Sequence, residues 1–318
     1  MKTIKLLLIT LLIFTFNNSH ATTWKEPWAD QVIKESSSFV LAKVISTDPH
    51  KEITIQIIKT LGGIELKDTI VISDFYLLSL CSISGGEGPE FITKVDEKYY
   101  FFIKKNTAGK YCIATPTTGF DQVTDNEVNA TYRHSYHQAS VPIDVYEKTM
   151  TAIFNNYHNL PYDEKFINSF VTENLSKKPA GFSEEEIKTF FLQHAALECV
   201  YHLKLKMKES LILPFLNDTD NFHNQVSGAR AMVAVDTKEG KEELLKVIRD
   251  KSRRDFIKVM CIWTLEKINA KELKSQLTEI EKSASEEEDD FGGNIMDPRV
   301  CTSLPTVKNA IAKYIEKI

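Results

Sequence analysis

The chain has 318 residues, of which 42% are hydrophobic and 26% are charged, and its formal net charge is −5. This composition is typical of a globular protein with room for two ordinary domains, and it excludes a disordered chain and a multi-span membrane protein. The acidic surplus also argues against the basic face that binding to nucleic-acid phosphates requires, so we predict no nucleic-acid partner.

The N-terminal stretch has the three parts of a secretory signal peptide. Two early lysines precede an apolar run over residues 6–16, and Ser19 and Ala21 form a small-x-small cleavage site. The apolar run is shorter than the roughly 20 residues that a membrane span needs. We therefore predict a signal peptide over residues 1–21 and an exported protein, periplasmic or secreted, with no stable membrane insertion after cleavage.

Export makes disulfides possible, and the chain has an odd number of cysteines, which leaves at least one unpaired within the chain. Cys81 and Cys112 both lie in the strand-rich half, and we predict that these two form a disulfide. No CxxC spacing occurs, so the sequence does not support a structural zinc site. The five cysteines are Cys81, Cys112, Cys199, Cys261 and Cys301.

Residues 39 to about 120 alternate strand-like apolar runs with turn signals. The run KYYFFIKK is apolar on both faces, as a central strand would be. Glycines in LGG and SGGEGPE break the runs where the chain must reverse. We predict five strands, in the runs FVLAKVIS, EITIQIIKT, DTIVISDF, KYYFFIKK and YCIAT.

This strand order resembles the five-stranded OB-type barrel of the netrin-like modules, whose relatives include tissue inhibitors of metalloproteinases. The resemblance is carried by FVLAKVIS, EITIQIIKTLGG, Cys81 and DEKYYFFIKK. It implies a small OB/netrin-like β-barrel over residues 22–130, and with it an inhibitor or regulator of an exported enzyme. One departure matters. The inhibitors present an N-terminal cysteine to a protease's zinc, whereas the predicted mature chain begins TTWKEPW.

From about residue 144 the apolar period becomes helical, with no strand-like runs between the helices. We predict a linker over residues 131–143 and a helical domain over residues 144–318. An acidic insertion at residues 283–304 replaces the short turn expected between its last two helices. The nine predicted helices lie in DVYEKTMTAIFNNYH, DEKFINSFVTENL, SEEEIKTFFLQHAALECVYHLKLK, KESLILPFLND, NFHNQVSGARAMVAV, KEELLKVIRD, DFIKVMCIWTLEKI, KELKSQLTEIEK and PTVKNAIAKYIEKI.

Two of these helices share one pattern of side chains. Ile257, Cys261 and Leu265 recur at the same spacing as Val307, Ile311 and the residues that follow. The pattern resembles the second helix of HEAT-type repeats. The resemblance implies a HEAT-like α-solenoid, in which each helix pair buries its apolar face against its neighbours. Cys261 is then an inward-facing structural thiol and not a nucleophile.

The helix FIKVMCIWTLEKI is apolar on all sides. Its side opposite the inward face carries Val259, Ile262 and Trp263, where a neighbouring copy has Ser227 and Arg230, which tolerate water. An all-apolar helix is normally covered by something. Either the acidic insertion folds back over it, or these residues form an exposed anchor for a protein partner, with Trp263 as its centre.

One group of residues could form a catalytic or metal-binding site. His194, Glu198 and His202 are spaced i, i+4 and i+8, so they share one face of a helix and could bind a metal in a metal-dependent hydrolase. The HExxH motif is absent, however, and no further ligand can be named. A second pair, His134 and His137, lies near the predicted domain junction. We therefore predict no metal, no cofactor and no catalytic residues.

The sequence favours a non-catalytic function. We predict a multi-domain α and β protein, a small β-barrel followed by a solenoid, that binds a protein partner through the solenoid surface. Two alternatives stay open. The first is an inhibitor or regulator of an exported enzyme that acts through the barrel, and the second is a hydrolase that uses the His194, Glu198 and His202 face.

Overall fold

The computed structural model describes residues 24–48, 51–75, 93–115, 118–135, 137–287, 300–301 and 304–318. An antiparallel sheet forms the N-terminal half, and helices pack on one of its faces. The predicted signal peptide lies outside the described residues, as does most of the acidic insertion. Within the described ranges, no helix is long and apolar enough to cross a membrane.

The main sheet is antiparallel, with the strand order β4-β3-β2-β5-β7-β8-β9, and β6 pairs with the end of β5. A separate two-stranded ribbon joins β1 in parallel to β10. The strands are Trp24–Lys25 (β1), Ser38–Asp48 (β2), Glu52–Gly63 (β3), Thr69–Ser73 (β4), Lys98–Lys105 (β5), Tyr111–Cys112 (β6), Phe120–Thr124 (β7), Glu127–His134 (β8), His137–Pro142 (β9) and Val300–Cys301 (β10).

The prediction of a five-stranded barrel is wrong. The five predicted strands are present as β2 to β6, but β7, β8 and β9 extend the sheet beyond β5, and its end strands β4 and β9 do not pair with each other. The residues predicted as a linker, 131–143, lie largely in β8 and β9. These strands bury alternate residues that include the small Ala130 and Ala139, which give a weak hydrophobic pattern in the sequence.

Each of the nine predicted helical stretches contains a helix or a helical turn, and α1 was not predicted. Several predicted helices begin or end in a turn of 3-10 helix. The α-helices are Ala29–Glu35 (α1), Ile143–Tyr157 (α2), Glu164–Leu175 (α3), Ile187–Leu203 (α4), Leu213–Leu216 (α5), Phe222–Ala231 (α6), Lys238–Arg249 (α7), Asp255–Lys267 (α8), Lys274–Glu281 (α9) and Val307–Lys317 (α10).

The side chains on the two faces of the sheet belong to two separate hydrophobic cores. Phe39 and Tyr100 point to the face that the helices cover, and they belong to a core that continues through the helical half. Val40 and Phe101, the next residues along the same strands, belong to a smaller core on the opposite face. The prediction that KYYFFIKK is a central strand is confirmed, because β5 lies between β2 and β7 and is buried on both faces.

Helix α8 is buried nearly all round because it packs against α6, α7 and α10. Its expected inward residues Ile257, Cys261 and Leu265 are buried. The opposite side is buried as well, and Val259 and Ile262 are both 0% exposed. The all-apolar sequence of this helix therefore reflects a central position in the helical half, where its neighbours cover it.

Candidate functional site

Helix α4 lies where the sheet meets the helical half. It packs against α2, α3 and α6 and against the edge strand β9. Every residue from Gln193 to Leu203 is buried, so its polar side chains face other elements instead of solvent. His194, Glu198 and His202 share one face of this helix as predicted, and that face meets β8, β9 and α6. We call this contact region the junction.

Glu198 is the centre of a buried ionic network. Its Oε2 accepts hydrogen bonds from Nε and Nη2 of Arg230 at 3.1 and 3.0 Å. The side chains of Glu198 and Arg230 are 0% and 5% exposed. Burial lowers the pKa of Arg230, but the Glu198 carboxylate outweighs that effect and raises the pKa above its ordinary value. Arg230 therefore keeps its positive charge beside the Glu198 carboxyl group.

A second buried guanidinium approaches the same carboxylate from the sheet. Nη1 of Arg133, on β8, lies 3.9 Å from Oε1 of Glu198 and donates to Oγ of Ser227 at 3.0 Å. Its Nη2 lies 3.4 Å from Nδ1 of His223. Arg133 is fully buried. Two arginines thus share one glutamate in the centre of the junction, and Arg133 ties the sheet to α6.

His202 is held with both ring nitrogens engaged. Its Nε2 donates to the carbonyl of Tyr132 at 2.8 Å, and its Nδ1 lies 3.0 Å from the hydroxyl of Tyr157. A carbonyl can only accept, so Nε2 carries the proton and Nδ1 of the neutral ring accepts from Tyr157. Burial lowers the pKa of His202 to about 4, although Glu198 raises it in part. His202 is therefore neutral at pH 7.

His194 is the least satisfied member of the network. Its Nδ1 lies 3.0 Å from Oγ of Ser227, while its Nε2 is buried and has no hydrogen-bond partner among the described residues. The single proton of Ser227 can serve His194 or Glu198, whose Oε1 is 3.4 Å away. Burial, followed by the charge of Arg133, lowers the pKa of His194 well below its ordinary value.

This arrangement does not form a metal site. Glu198 is occupied by two guanidinium groups, and both nitrogens of His202 are hydrogen-bonded, so only His194 has a nitrogen to offer. A cation would also lie beside two arginines. In the ranges that the structure describes, no group of three or more His, Cys, Asp or Glu side chains could hold a metal ion.

Most of the histidines that the structure describes lie in the junction. Five of the six histidines that the structure describes lie there, and the sixth, His158, stacks on Phe154 outside it. The His137 ring on β9 contacts two others, with centroids 4.3 Å from His194 and 4.2 Å from His223. The five junction histidines are His134, His137, His194, His202 and His223.

Trp263 packs against the N-terminal segment. Its ring meets that of Trp28 edge to face, with centroids 5.7 Å apart. Trp28 also contacts His134 at 4.9 Å and lies under the guanidinium of Arg230 at 5.5 Å. The residue just before α1 therefore covers the tryptophan of α8. Of the predicted partner contacts, Trp263 keeps partial exposure, whereas Val259 and Ile262 reach no solvent.

Because Trp263 contributes to this packing, we expect Trp263→Ala to lower the free energy of unfolding by about 2 kcal/mol, less than for a fully buried tryptophan. Urea unfolding followed by circular dichroism measures the change. Ile64→Ala is the control, since Ile64 is 64% exposed, and it should shift stability by less than about 0.5 kcal/mol. A Trp263→Ala variant as stable as the parent would show that the contact with Trp28 contributes nothing.

The described cysteines behave as buried thiols. Cys112, Cys199 and Cys261 are free and buried, and burial raises the pKa of each thiol above its ordinary value. A raised pKa suppresses the thiolate, so none of them is an activated nucleophile. Cys81 lies outside the described residues, and its pairing with Cys112 stays a prediction.

Sequence reasoning missed several members of the network. Ser227 and Arg230 were expected at positions that tolerate water, yet both are buried and bind Glu198. Arg133, which lies between Tyr132 and His134 in β8, gave no signal of its own. The only hint was YRHSYH, where an arginine and two histidines fall at the end of β8 and the start of β9.

The fold and the junction define a two-layer protein of sheet and helices whose layers meet at a buried ionic and histidine network. No protein-family model, no curated protein and no solved structure matches this chain. The netrin-like and HEAT-like resemblances therefore stay predictions.

Proposed function

We propose that this exported protein binds another protein without acting on it chemically, and that one end of the sheet makes the contact. Export rests on the predicted signal peptide. One observation carries the choice of surface. Five of the seven exposed large hydrophobic side chains in the described part of the chain belong to the sheet half.

The polar residues at the junction support a non-catalytic function. A catalytic acid or base must reach its substrate. Glu198 is fully buried and bound to Arg230, and His202 is hydrogen-bonded at both nitrogens. These side chains already serve the fold, which leaves recognition to the surface.

Three exposed aliphatic residues mark the surface, and we call them the aliphatic patch: Ile45, Val71 and Val95, which are 38%, 40% and 50% exposed. The strand register places Ser46 on β2 and Val71 on β4 opposite the same residue, Thr54 of β3, so the first two patch residues lie at the same level on the two strands that flank β3. The segment after Val95 hydrogen-bonds to β2 at Val44. The three side chains therefore lie at one end of the sheet.

The chemistry of the aliphatic patch favours a protein partner. Carbohydrate and single-stranded nucleic acid are bound on aromatic platforms, and nucleic acid also needs basic grooves. The patch instead has β-branched aliphatic side chains beside the ion pair of Lys43 with Asp96, whose atoms lie 3.0 Å apart. Apolar contact with a polar rim is typical of a protein interface.

We expect Val71→Lys to weaken partner binding at least about tenfold, which corresponds to about 1.4 kcal/mol. The substitution should leave the fold intact, because lysine is common on the end strands of natural sheets. Leu160→Lys is the matched control. Leu160 is 41% exposed, close to the 40% of Val71, but lies in the helical half.

The partner is sought by comparing proteins captured from the exported fraction of the source cells on the parent chain and on the two variants. Affinity is then measured with the purified partner. The proposal requires a protein that binds the parent and Leu160→Lys but is lost with Val71→Lys. Binding that is lost only with Leu160→Lys would place the contact on the helical surface, and equal binding to all three would remove the sheet from the interface. Either result overturns the proposal.

A further inference from the structure

We propose that the junction is an acid-sensitive switch, which separates the sheet from the helices when its histidines are protonated. The inference concerns the conformation of the chain alone and does not depend on the proposed partner. It rests on the placement of five histidines and two arginines between β8, β9, α4 and α6. Protonation would add positive charge beside two buried guanidinium groups that already share the Glu198 carboxyl group.

The first group of histidines surrounds Arg133. His194 faces His137 on β9, Arg133 on β8 and, on α6, both His223 and Arg230. His137 stacks on His223, whose Nδ1 lies 3.4 Å from Arg133. Within the described part of the chain, the main charges that act on these three rings come from arginines and other histidines, and they oppose protonation.

The second group lies on the Arg230 side. His202 faces Glu198 on its own helix, Arg230 on α6, Tyr157 on α2 and, at longer range, Asp30 on α1. Its Nε2 bonds the Tyr132 carbonyl of β8. The carboxyl groups of Glu198 and Asp30 favour a charged His202 ring, but Glu198 is already shared between two arginines.

His134 completes this group. It packs on Trp28, and the charges of Arg133 and Arg230 act on it, while a backbone hydrogen bond with Glu26 partly offsets them. Opening the junction would release His134 and the other four rings from the two guanidinium groups. Each ring then regains water, which favours its charged form.

The direction of the pH effect follows from the lowered pKa values. Burial is the first cause for all five rings, and it lowers the pKa to about 4 for His134, His202 and His223. An exposed histidine has a pKa of about 6.5. Between these values the open form binds more protons than the closed form. The closed junction is therefore fully stable above about pH 6.5 and loses stability as the pH falls toward about 4.

One buried group acts in the opposite direction. Burial raises the pKa of Asp121 to about 6, so its protonation favours the closed form as the pH falls. Its oxygens accept from Tyr146 at 2.6 Å and from the backbone N–H of Thr131 at 3.0 Å, away from the network. One such carboxyl offsets one histidine of the five.

The smaller core should survive the opening. It lies on the sheet face away from the helices, is built from β2 to β7, and contains no histidine among its members. Its residues, such as Val40 and Phe101, pack on each other and not on α4 or α6. Acid should therefore part the two halves before it unfolds the sheet.

Native-state hydrogen exchange of the full mature chain, measured by mass spectrometry between about pH 7 and about pH 4.5, tests this inference. Protection factors in β8, β9, α4 and α6, corrected for intrinsic exchange, should fall at least about tenfold per pH unit below about pH 6.5. Protection in β2, β3 and β5 should persist. Constant protection at the junction, or loss in all strands and helices together, would overturn the switch.

Single variants identify the titrating groups. His223→Gln keeps a polar side chain at the partly exposed rim of the junction and should reduce the slope of log protection against pH by about one proton. His158→Gln, outside the junction, should leave the slope unchanged. A substitution that merely destabilised the fold would lower log protection at every pH, but would not change the slope of log protection against pH. An unaltered slope for His223→Gln, or an equal loss in both variants, would refute the assignment.

Discussion

Glu198→Gln is expected to lower the free energy of unfolding by about 3–5 kcal/mol. The glutamine is close in size and can still accept a hydrogen bond, but it removes the one negative charge between Arg133 and Arg230. Both guanidinium groups are buried, at 0% and 4% exposure, and cannot regain water without opening the junction. Denaturant unfolding at neutral pH, followed by circular dichroism, gives the change directly.

The control for this variant is Glu185→Gln, an exposed glutamate just before α4. It removes the same charge from the surface and should change stability by less than about 0.5 kcal/mol. If the two variants were equally stable, Glu198 would not be needed to balance the arginines. A Glu198→Gln protein more stable than the parent would indicate a strained functional carboxylate.

Gly228→Ala is expected to lower the free energy of unfolding by about 3 kcal/mol, through overpacking. An added Cβ would lie 2.5 Å from the backbone nitrogen of Leu216 and 2.9 Å from its Cα. These are backbone atoms of α5, so the contact can be relieved only if α5 and α6 move apart. That movement would also displace Ser227 and Arg230 from the network.

The same substitution in an uncrowded helix would stabilise it by about 1 kcal/mol, because alanine has the higher helix propensity. A loss of stability is therefore diagnostic of the close helix contact. Gly181→Ala is the control, since its nearest neighbour is the flexible end of the Glu186 side chain at 3.2 Å. A neutral or stabilising Gly228→Ala would mean that α5 and α6 do not pack as closely as described.

Local patterns in the sequence located most of the elements. Strong alternation in EITIQIIKT and unbroken apolarity in KYYFFIKK correspond to β3 and β5. The prediction of a barrel failed because the closure of a sheet depends on which distant strands pair. The pattern of residues within a strand carries no such information. The three additional strands were hidden because they bury polar side chains such as Asp121 and Arg133.

The sequence predicted which residues of α4 share the site, but not the residues that they contact. Helical spacing correctly put His194, Glu198 and His202 on one face, because the period of a helix is local. It could not show what that face meets. Arg133 is 65 residues away from Glu198 in the sequence. It lies on a strand, and the fold brings its Nη1 to 3.9 Å from Oε1 of Glu198. Arg230 was assigned to a solvent-facing position because α6 was aligned with a helix in a different environment.

Glu198 and Arg230 form the structural pair at the centre of the junction, and a double-mutant cycle tests this pairing most directly. Unfolding free energies are compared for Glu198→Leu, Arg230→Met, the double variant and the parent. Each single variant should lose about 3–5 kcal/mol, because an uncompensated charge stays buried. The double variant should lose less than the sum of the two by about 2–3 kcal/mol. Additive losses, or single variants as stable as the parent, would contradict the account.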